Sequence, residues 1–345
     1  MGVDGWERAI ESYDANFNKR GERHVMKAST EPSELNLGGK RIELLLASPE
    51  CTNHTCAKGA GVRSEDSKKT ANYVLKFAEE LSPRWIVIEN VIHMRNWRGY
   101  KPLLNGLQAL GYKTLEVVLD SVKFGVPQTR KRLFILCDRK GTPLPLQLRH
   151  QKESPVSAIL DYNPETGTDP WLSKPFFIQS RAKPTIERFN RGVEALGEGV
   201  PFLIVYYGSD GSGGWQPLDR PLRTITTLDR FGLITWKGAV PHLRMLQVPE
   251  LMRAMGFKTG DGFRLTGSRR DQIKQLGNGV CPPVMEAIVR HLTAEETSNQ
   301  ADRPPRKAKS KSKIEKVSSE SPKKPKGKRR VNRTNTAGFR NGVIA

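Results

Sequence analysis

Four side chains of reactive or charged type lie in three short segments of the first 140 residues, and together they could carry out a nucleophilic addition. The four are Cys51 in SPECTNHT (48–55), Glu89 in IENV (88–91), and Arg130 and Arg132 in KFGVPQTRKR (123–132). A cysteine attacks as its thiolate. A carboxyl group can donate a proton or a hydrogen bond, and guanidinium groups bind phosphates, carboxylates or carbonyl oxygens.

The elements that must position the cysteine and the glutamate are two short apolar runs. Ile42 to Ala47 precedes Cys51, and Trp85 to Ile88 precedes Glu89. Each run predicts a buried strand, and open α/β sheets bind ligands just beyond the carboxyl ends of their strands. The alternatives are that Cys51 is a small buried hydrophobe, and that Glu89 caps the following helix or faces water.

The two arginines follow a predicted turn. Gly125 to Gln128 (GVPQ) leads into Arg130, Arg132 and then an apolar strand, Leu133 to Leu136. Because residues two apart in an extended chain share a face, we expect both guanidinium groups to point the same way. The alternative is a solvated basic edge.

Taken in order, and followed by RPLRTIT (220–226) and QLGNGV (275–280), these segments resemble the cytosine-5 DNA methyltransferase family. The resemblance covers roughly residues 4–292. It implies an α/β fold with a Rossmann-like class I methyltransferase sheet and a small, irregular target-recognition domain. It also implies S-adenosyl-L-methionine as the cofactor and double-stranded DNA as the substrate.

The resemblance assigns roles to the four side chains. Cys51 would attack C6 of a cytosine, which must be flipped out of the stacked duplex to be reached. Glu89 would protonate or hydrogen-bond N3, so that electron density builds at C5, the carbon that takes the methyl group. Arg132 would contact the base O2, with Arg130 supporting it.

The resemblance also implies a cofactor site. Asp4 would bind the cofactor ribose and Trp6 would face the adenine, while Ser48 and Asn278 would lie near the cofactor. The family, however, opens with a strand and a Phe-x-Gly-x-Gly-Gly loop, and nothing in this sequence matches them. The acidic residue that the family places on the adenine amine is not evident near residues 24–29 either.

The missing first strand would lie between the strands that begin near Val3 and Ile42. We therefore expect a truncated gene product or a start codon placed too late, unless a partner polypeptide supplies the strand. The residues on either side of Cys51 also differ from the family pattern. Glu50 stands where proline is usual, and Thr52 stands where glutamine is usual. A carboxylate beside a thiolate raises the pKa of that thiol. A catalytically impaired DNA-binding remnant is therefore an alternative to an active enzyme, and RNA is an alternative substrate.

The pattern divides the chain into four parts. These are a catalytic domain over 1–142, a target-recognition domain over 143–235, a return to the catalytic domain over 236–295, and a basic tail over 296–345. Alternating strand and helix patterns to about residue 140 predict a mostly parallel sheet. The predicted helices are Asp66 to Leu81, Pro102 to Leu110, His242 to Phe257 and Val284 to Leu292, and an aromatic strand is predicted over Phe202 to Tyr207. Candidate base-reading residues, equally well interpreted as surface charge, are Arg181, Lys183, Arg188 and Arg191.

The charge of the chain favours a nucleic-acid partner. Lys and Arg outnumber Asp and Glu by 57 to 36, a net charge of +21. Residues 301–345 hold 15 basic and 3 acidic side chains, so +12 of that charge lies in the tail. We expect this tail to be disordered and to contact phosphates without sequence preference, or else to be merely solvated.

The remaining expectations concern cellular context. The four cysteines lack metal-binding spacing, which predicts free thiols and no metal site. Without a signal peptide or a long apolar run, the sequence predicts a cytoplasmic, nucleoid-associated protein with no membrane contact, or a nuclear protein if the source is eukaryotic. We expect a monomer, with a cognate restriction endonuclease as a further partner if it serves a restriction-modification system.

Overall fold

The computed structural model describes residues 1–27, 29–49, 65–147, 152–207 and 213–301, without the side chains of 65–71 and 295–301. The strands are β1 (Gly2–Asp4), β2 (Gly21–Arg23), β3 (Leu44–Ala47), β4 (Trp85–Asn90), β5 (Lys113–Asp120), β6 (Lys131–Asp138), β7 (Lys174–Pro175), β8 (Phe202–Val205), β9 (Trp215–Pro217), β10 (Phe231–Lys237) and β11 (Val240–Met245). The helices are α1 (Glu7–Asn16), α2 (Glu65–Leu81), α3 (Tyr100–Ala109), α4 (Lys183–Leu196), α5 (Val248–Ala254), α6 (Arg269–Asn278) and α7 (Pro282–Ala301). None of the helices in these ranges is long and apolar enough to cross a membrane.

The sheet that carries the predicted catalytic segments has four strands in the order β3-β4-β6-β5. Only β3 and β4 pair in parallel, and β6 is antiparallel to both of its neighbours. The expectation of a mostly parallel sheet is therefore wrong for these four strands. The reason is the short connection between β5 and β6, which has no room for the crossover that a parallel pair needs. Its tight turn forms as predicted, with Gly125 at φ 74°.

Both faces of this sheet are buried, which explains why its central strands are apolar. All six residues of β4 are buried. On β6, Phe134 and Leu136 face a core built with α5, α6 and α7. Leu133 and Ile135 face the opposite core, built with α2 and α3. The fold is thus the three-layered α/β arrangement that the sequence predicts.

A second sheet, of five strands in the order β7-β11-β10-β8-β9, is antiparallel throughout. Helix α4 packs on it through aromatic rings, with Phe176 and Phe189 stacked at 4.1 Å between centroids and Phe202 beside them. The boundary predicted at residue 235 falls inside β10, and β11 extends this sheet to Met245.

The helix predicted over His242 to Phe257 is wrong in its first part. His242 to Met245 pairs with β10 and β7 as a strand, and the helix begins only at Val248. A capping box between Gln247 and Glu250, with proline in the first turn, fixes that start. The other three predicted helices form with shifted ends, and α7 begins before Val284 and extends past Leu292. The aromatic strand ends at Val205, two residues early.

The first strand is not part of the four-stranded sheet. β1 pairs in parallel with β2 alone, and β3 is the edge strand of its own sheet. Val3 nevertheless packs in the same core as Leu45. Within the described ranges, β1 and β3 are therefore joined by side-chain packing and by no ladder hydrogen bonds.

Helix α1 instead attaches this N-terminal unit to a segment some 250 residues later. The Asn16 amide donates to the Arg264 carbonyl at 2.8 Å and accepts from the Arg264 N–H at 2.9 Å. The buried Ser12 hydroxyl accepts the Thr266 N–H at 2.8 Å. The Phe17 and Phe263 rings meet edge to face. We call this set of contacts the α1 clamp.

We expect Asn16→Ala to lower the free energy of unfolding by about 1 kcal/mol, because the side chain loses its hydrogen bonds to the Arg264 backbone at the protein surface. Urea denaturation measures the change. Asn105→Ala, on the exposed side of α3, is the matched control and should stay within about 0.5 kcal/mol of the parent. Equal stability of the two variants would show that the clamp contributes nothing.

Candidate functional site

Glu89 lies one residue from the end of β4 and is nearly enclosed, with 6% of its surface exposed. The Nε atom of Arg132, on the neighbouring strand β6, lies 3.2 Å from its Oε1 atom. The Ser48 hydroxyl, just past the end of β3, donates to the same carboxyl group. Strands β3, β4 and β6 thus bring together three of the predicted site residues.

Burial raises the pKa of the Glu89 carboxyl above its ordinary value, although the charges of Arg132 and Arg130 oppose that shift. The carboxyl therefore keeps its proton to higher pH than an exposed glutamate would. A raised pKa of this kind suits a group that must donate a proton or a hydrogen bond near neutrality.

Asn90 connects this carboxyl to the segment that holds the predicted nucleophile. Its side-chain amide donates to the Pro49 carbonyl at 3.0 Å, while its oxygen accepts the Val91 N–H. Ser48 and Pro49 are therefore both held at the end of β4. Cys51 follows two residues later, and it lies outside the described residues.

The Arg130 guanidinium group is buried and holds three backbone carbonyls. Its Nη1 atom donates to Ile225 at 2.9 Å, and its Nη2 atom donates to Gly277 at 2.7 Å and Gly279 at 2.9 Å. Arg130 and Arg132 line the same small cavity, so they share a face as predicted. In this structure, however, Arg132 contacts the carboxyl group and Arg130 joins chain segments.

Glycine is required where Arg130 gathers these segments. A Cβ atom on Gly277 would lie 2.4 Å from the backbone carbonyl carbon of Thr226. The backbone of Gly277 therefore approaches the backbone of Thr226 more closely than any side chain would allow. This approach also places Asn278, exposed at the end of α6, beside the segment RPLRTIT.

Gln128 is a further residue of this arrangement that sequence reasoning did not single out. Its side chain is fully buried; its oxygen accepts the Ile225 N–H at 2.8 Å and its nitrogen donates to the Ala254 carbonyl at 3.1 Å. The available signal was an amide two residues before Arg130, on the same face of an extended chain.

A second cluster lies at the end of β1. Asp4 accepts the backbone N–H of Trp6 at 2.7 Å, and the Lys274 ammonium lies 4.1 Å from the centre of the indole ring. Desolvation raises the pKa of the Asp4 carboxyl, opposed by the Trp6 N–H and then by the charge of Lys274. Sequence reasoning named Asp4 and Trp6 but missed Lys274, because no local pattern relates residues 268 positions apart.

The described cysteines are not competing nucleophiles. Cys137 and Cys281 are free, as predicted, and both are buried. Burial raises the pKa of both thiols, which keeps them protonated. Cys51 and Cys56 lie outside the described residues.

Arg181 and Arg191, which are among the four candidate base-reading residues, donate to backbone carbonyls outside α4. Arg181 donates from Nε to the Phe176 carbonyl at 2.9 Å, and Arg191 donates from Nε to the Gly213 carbonyl at 2.8 Å. Both contacts lie within the domain that contains the five-stranded sheet. They give these two side chains a structural role, and base reading by any of the four stays a prediction.

We expect the free energy of unfolding of Glu89→Gln to increase relative to that of the parent as the pH is raised. A folded-state pKa raised above the unfolded value, near 4.5, gives stability that is complete at low pH and lost as pH rises through the folded value. Glutamine cannot ionise, so the difference in unfolding free energy between variant and parent should open as pH rises from about 4.5 upward. Urea unfolding across that range measures it.

The matched control is Glu79→Gln, an exposed glutamate on α2, which removes one negative charge without touching the buried site. If the difference in unfolding free energy between Glu89→Gln and the parent stays constant or narrows as pH rises, burial does not raise the pKa of Glu89.

Comparisons with known proteins identify the family to which the chain belongs. Residues 1–294 match the family model described as C-5 cytosine-specific DNA methylase. Among curated proteins, the chain is 31% identical over 231 residues to the type II methyltransferase M.HgiDI of Herpetosiphon aurantiacus, an alignment covering 64% of this chain and 72% of that protein. It is 24% identical to M.BsuFI of Bacillus subtilis, covering 82% of this chain and 64% of that relative.

The fold has counterparts among solved structures. The Entamoeba histolytica methyltransferase EhMeth superposes with a TM-score of 0.57 at 18% identity, covering 86% of this chain and 90% of that one. At that identity the likeness concerns the fold alone. The match of the family model over most of the chain goes further: this protein belongs to the C-5 cytosine-specific DNA methylase family.

Proposed function

We propose that this protein transfers a methyl group from S-adenosyl-L-methionine to C5 of a cytosine flipped out of duplex DNA, through a covalent adduct with Cys51. The observation that carries the proposal is the buried Glu89 carboxyl, held by Arg132 and Ser48 beside the segment that leads into Cys51. A carboxyl group with a raised pKa next to a nucleophile-bearing loop fits acid-assisted addition to a pyrimidine.

Each residue has a defined task in that addition. The Cys51 thiolate forms a bond to C6, and the electron pair of the C5–C6 double bond becomes available at C5. Glu89 places its proton at N3, which stabilises the electron-rich ring, and Arg132 neutralises charge at O2. S-adenosyl-L-methionine supplies the methyl group. Loss of the C5 proton to a base and return of the N3 proton to Glu89 then expel the Cys51 thiolate and restore the neutral aromatic ring.

The residues at the end of β1 fit the adenosine part of such a cofactor. Asp4 is exposed and directs only one carboxylate oxygen to the Trp6 N–H. Its other oxygen suits a ribose hydroxyl group, and the partly exposed indole ring of Trp6 suits a purine. Ser48 contacts Glu89, so we assign it to the junction between cofactor and base, and Asn278 to the neighbouring end of α6.

The biological setting follows from the relatives. M.HgiDI and M.BsuFI are named as type II methyltransferases, which favours a role in a restriction-modification system beside a cognate endonuclease. The high positive charge of the chain suits phosphate contact. We propose that it acts on DNA as a monomer, in the cytoplasm and at the nucleoid.

We expect Cys51→Ala to abolish methyl transfer from labelled S-adenosyl-L-methionine to mixed-sequence duplex DNA while DNA binding remains. The parent should also form a stable adduct with duplex DNA containing 5-fluorocytosine, because fluorine at C5 cannot leave as the proton does. Denaturing electrophoresis detects that adduct, and Cys51→Ala should not form it.

Cys56→Ala is the matched control and should transfer methyl groups and form the adduct like the parent. A parent that binds DNA but neither transfers methyl groups nor forms the adduct would identify a DNA-binding remnant. Adduct formation by Cys51→Ala would show that a different residue is the nucleophile.

We expect substitution of Arg132 and of Arg130 by methionine to affect different properties, the first mainly activity and the second mainly stability. Arg132→Met should lower the methyl-transfer rate by about 10²-fold or more, as loss of one charge-stabilising donor does, with a modest loss of stability. Arg130→Met should destabilise the fold by about 3 kcal/mol or more, because three carbonyls lose a charged donor. Single-turnover rates and urea unfolding measure the two effects, and the reverse ranking would contradict these roles.

A further inference from the structure

The indole ring of Trp6 already carries a cation on one face. The Lys274 ammonium lies 4.1 Å from the ring centre, well within the distance at which a cation is attracted to an aromatic face. Both side chains reach the protein surface, where Lys274 is exposed and Trp6 is half-buried. The ring face therefore holds a positive charge in a place that a ligand could reach.

The contact results from how the fold assembles the N-terminal unit. The α1 clamp fixes α1 against residues 264–266, just before α6. Trp6 immediately precedes α1, and Lys274 lies in the middle of α6. Because α1 is fixed to the residues just before α6, the Lys274 side chain lies over the indole ring of Trp6.

The Asp4 carboxylate also attracts the Lys274 ammonium group. Desolvation raises the pKa of the Asp4 carboxyl, and the positive charge of Lys274 is one of the two contributions that oppose this rise, so the carboxylate and the ammonium attract each other. Asp4, Trp6 and Lys274 thus form a compact set of one anion, one aromatic ring and one cation. A flat, neutral ring that stacks on the same indole face must displace the ammonium from it.

We propose that Lys274 competes with the adenine ring for the face of Trp6 and so weakens the binding of adenosine-bearing ligands. The inference rests on the proposed function, since it takes Trp6 as the adenine-binding ring. Lys274 touches none of the reacting atoms. Its effect falls on ligand affinity and not on the rate of the chemical step.

The expected size of the effect follows from the interaction that is lost. A surface cation over an aromatic ring contributes an amount equivalent to about a two- to fivefold change in affinity. Lys274→Met keeps an unbranched side chain of similar length and removes the charge. We expect it to bind S-adenosyl-L-homocysteine about two- to fivefold more tightly than the parent.

Isothermal titration of the full chain with S-adenosyl-L-homocysteine tests this expectation. Lys274→Arg keeps a cation that stacks on aromatic faces, so it should bind no more tightly than the parent. Lys101→Met, on the exposed surface of α3, makes the same change in net charge elsewhere and should match the parent. Trp6→Leu should weaken binding and remove the difference between lysine and methionine at position 274.

The outcomes separate the two proposals. Unchanged or weaker binding by Lys274→Met, with Trp6→Leu still impaired, would overturn the competition while the donor site stands. Unchanged binding by Trp6→Leu would overturn the placement of adenine on Trp6 and the competition with it. Absence of binding by the parent would overturn the donor assignment and this inference together.

Discussion

The hydrogen bonds of the buried Arg130 guanidinium group are the interaction on which the site depends most. A guanidinium group is costly to remove from water, and it is stable inside a protein only when its donors find acceptors. Here the acceptors are the carbonyls of Ile225, Gly277 and Gly279. These carbonyls come from two segments that lie about 95 and 150 residues further along the chain. One charged side chain thereby joins the start of β6, the RPLRTIT segment and the end of α6.

For the Glu89 carboxyl group, the cost of burying the charge exceeds the stabilisation that its partners provide. Its surroundings penalise its charge more than Arg132 and Arg130 compensate for it, so the pKa of the carboxyl rises. Ionisation of this carboxyl therefore costs stability, which a neutral side chain of the same shape would not lose. The retained carboxyl therefore trades some stability for a proton held at a defined position, which is a frequent feature of acid–base sites. Arg130 and Glu89 are both buried ionisable groups, but the first organises the chain and the second carries the chemistry.

Sequence reasoning located the elements whose signals are local. Apolar runs gave β3, β4 and β6, and Glu89 follows from its place at the end of one of them. The helix over Glu65–Leu81 was predicted to within one residue. It failed where a strand depends on distant partners, because nothing local marks His242 to Met245 as paired with β10 and β7.

Local reasoning also could not separate the two arginines. It correctly put Arg130 and Arg132 on one face, but only the fold shows that the first meets backbone carbonyls and the second meets the Glu89 carboxyl. The same limit applies to Lys274, whose contact with Trp6 depends on the clamp between α1 and residues 264–266. Side chains whose roles are set by contacts 43 to 268 residues apart leave no trace in local spacing.

Helix α6 connects these two groups of residues physically. Lys274 and Asn278 are one helical turn apart, about 6 Å along the axis. The first lies over Trp6, while the residues on either side of the second offer their carbonyls to Arg130. A displacement of α6 would therefore act on the proposed adenosine site and on the Arg130 network at once. Since β1 and β3 share no ladder hydrogen bonds in the described ranges, α6 and the α1 clamp form a polar connection that helps to set the position of Asp4 and Trp6 relative to Glu89.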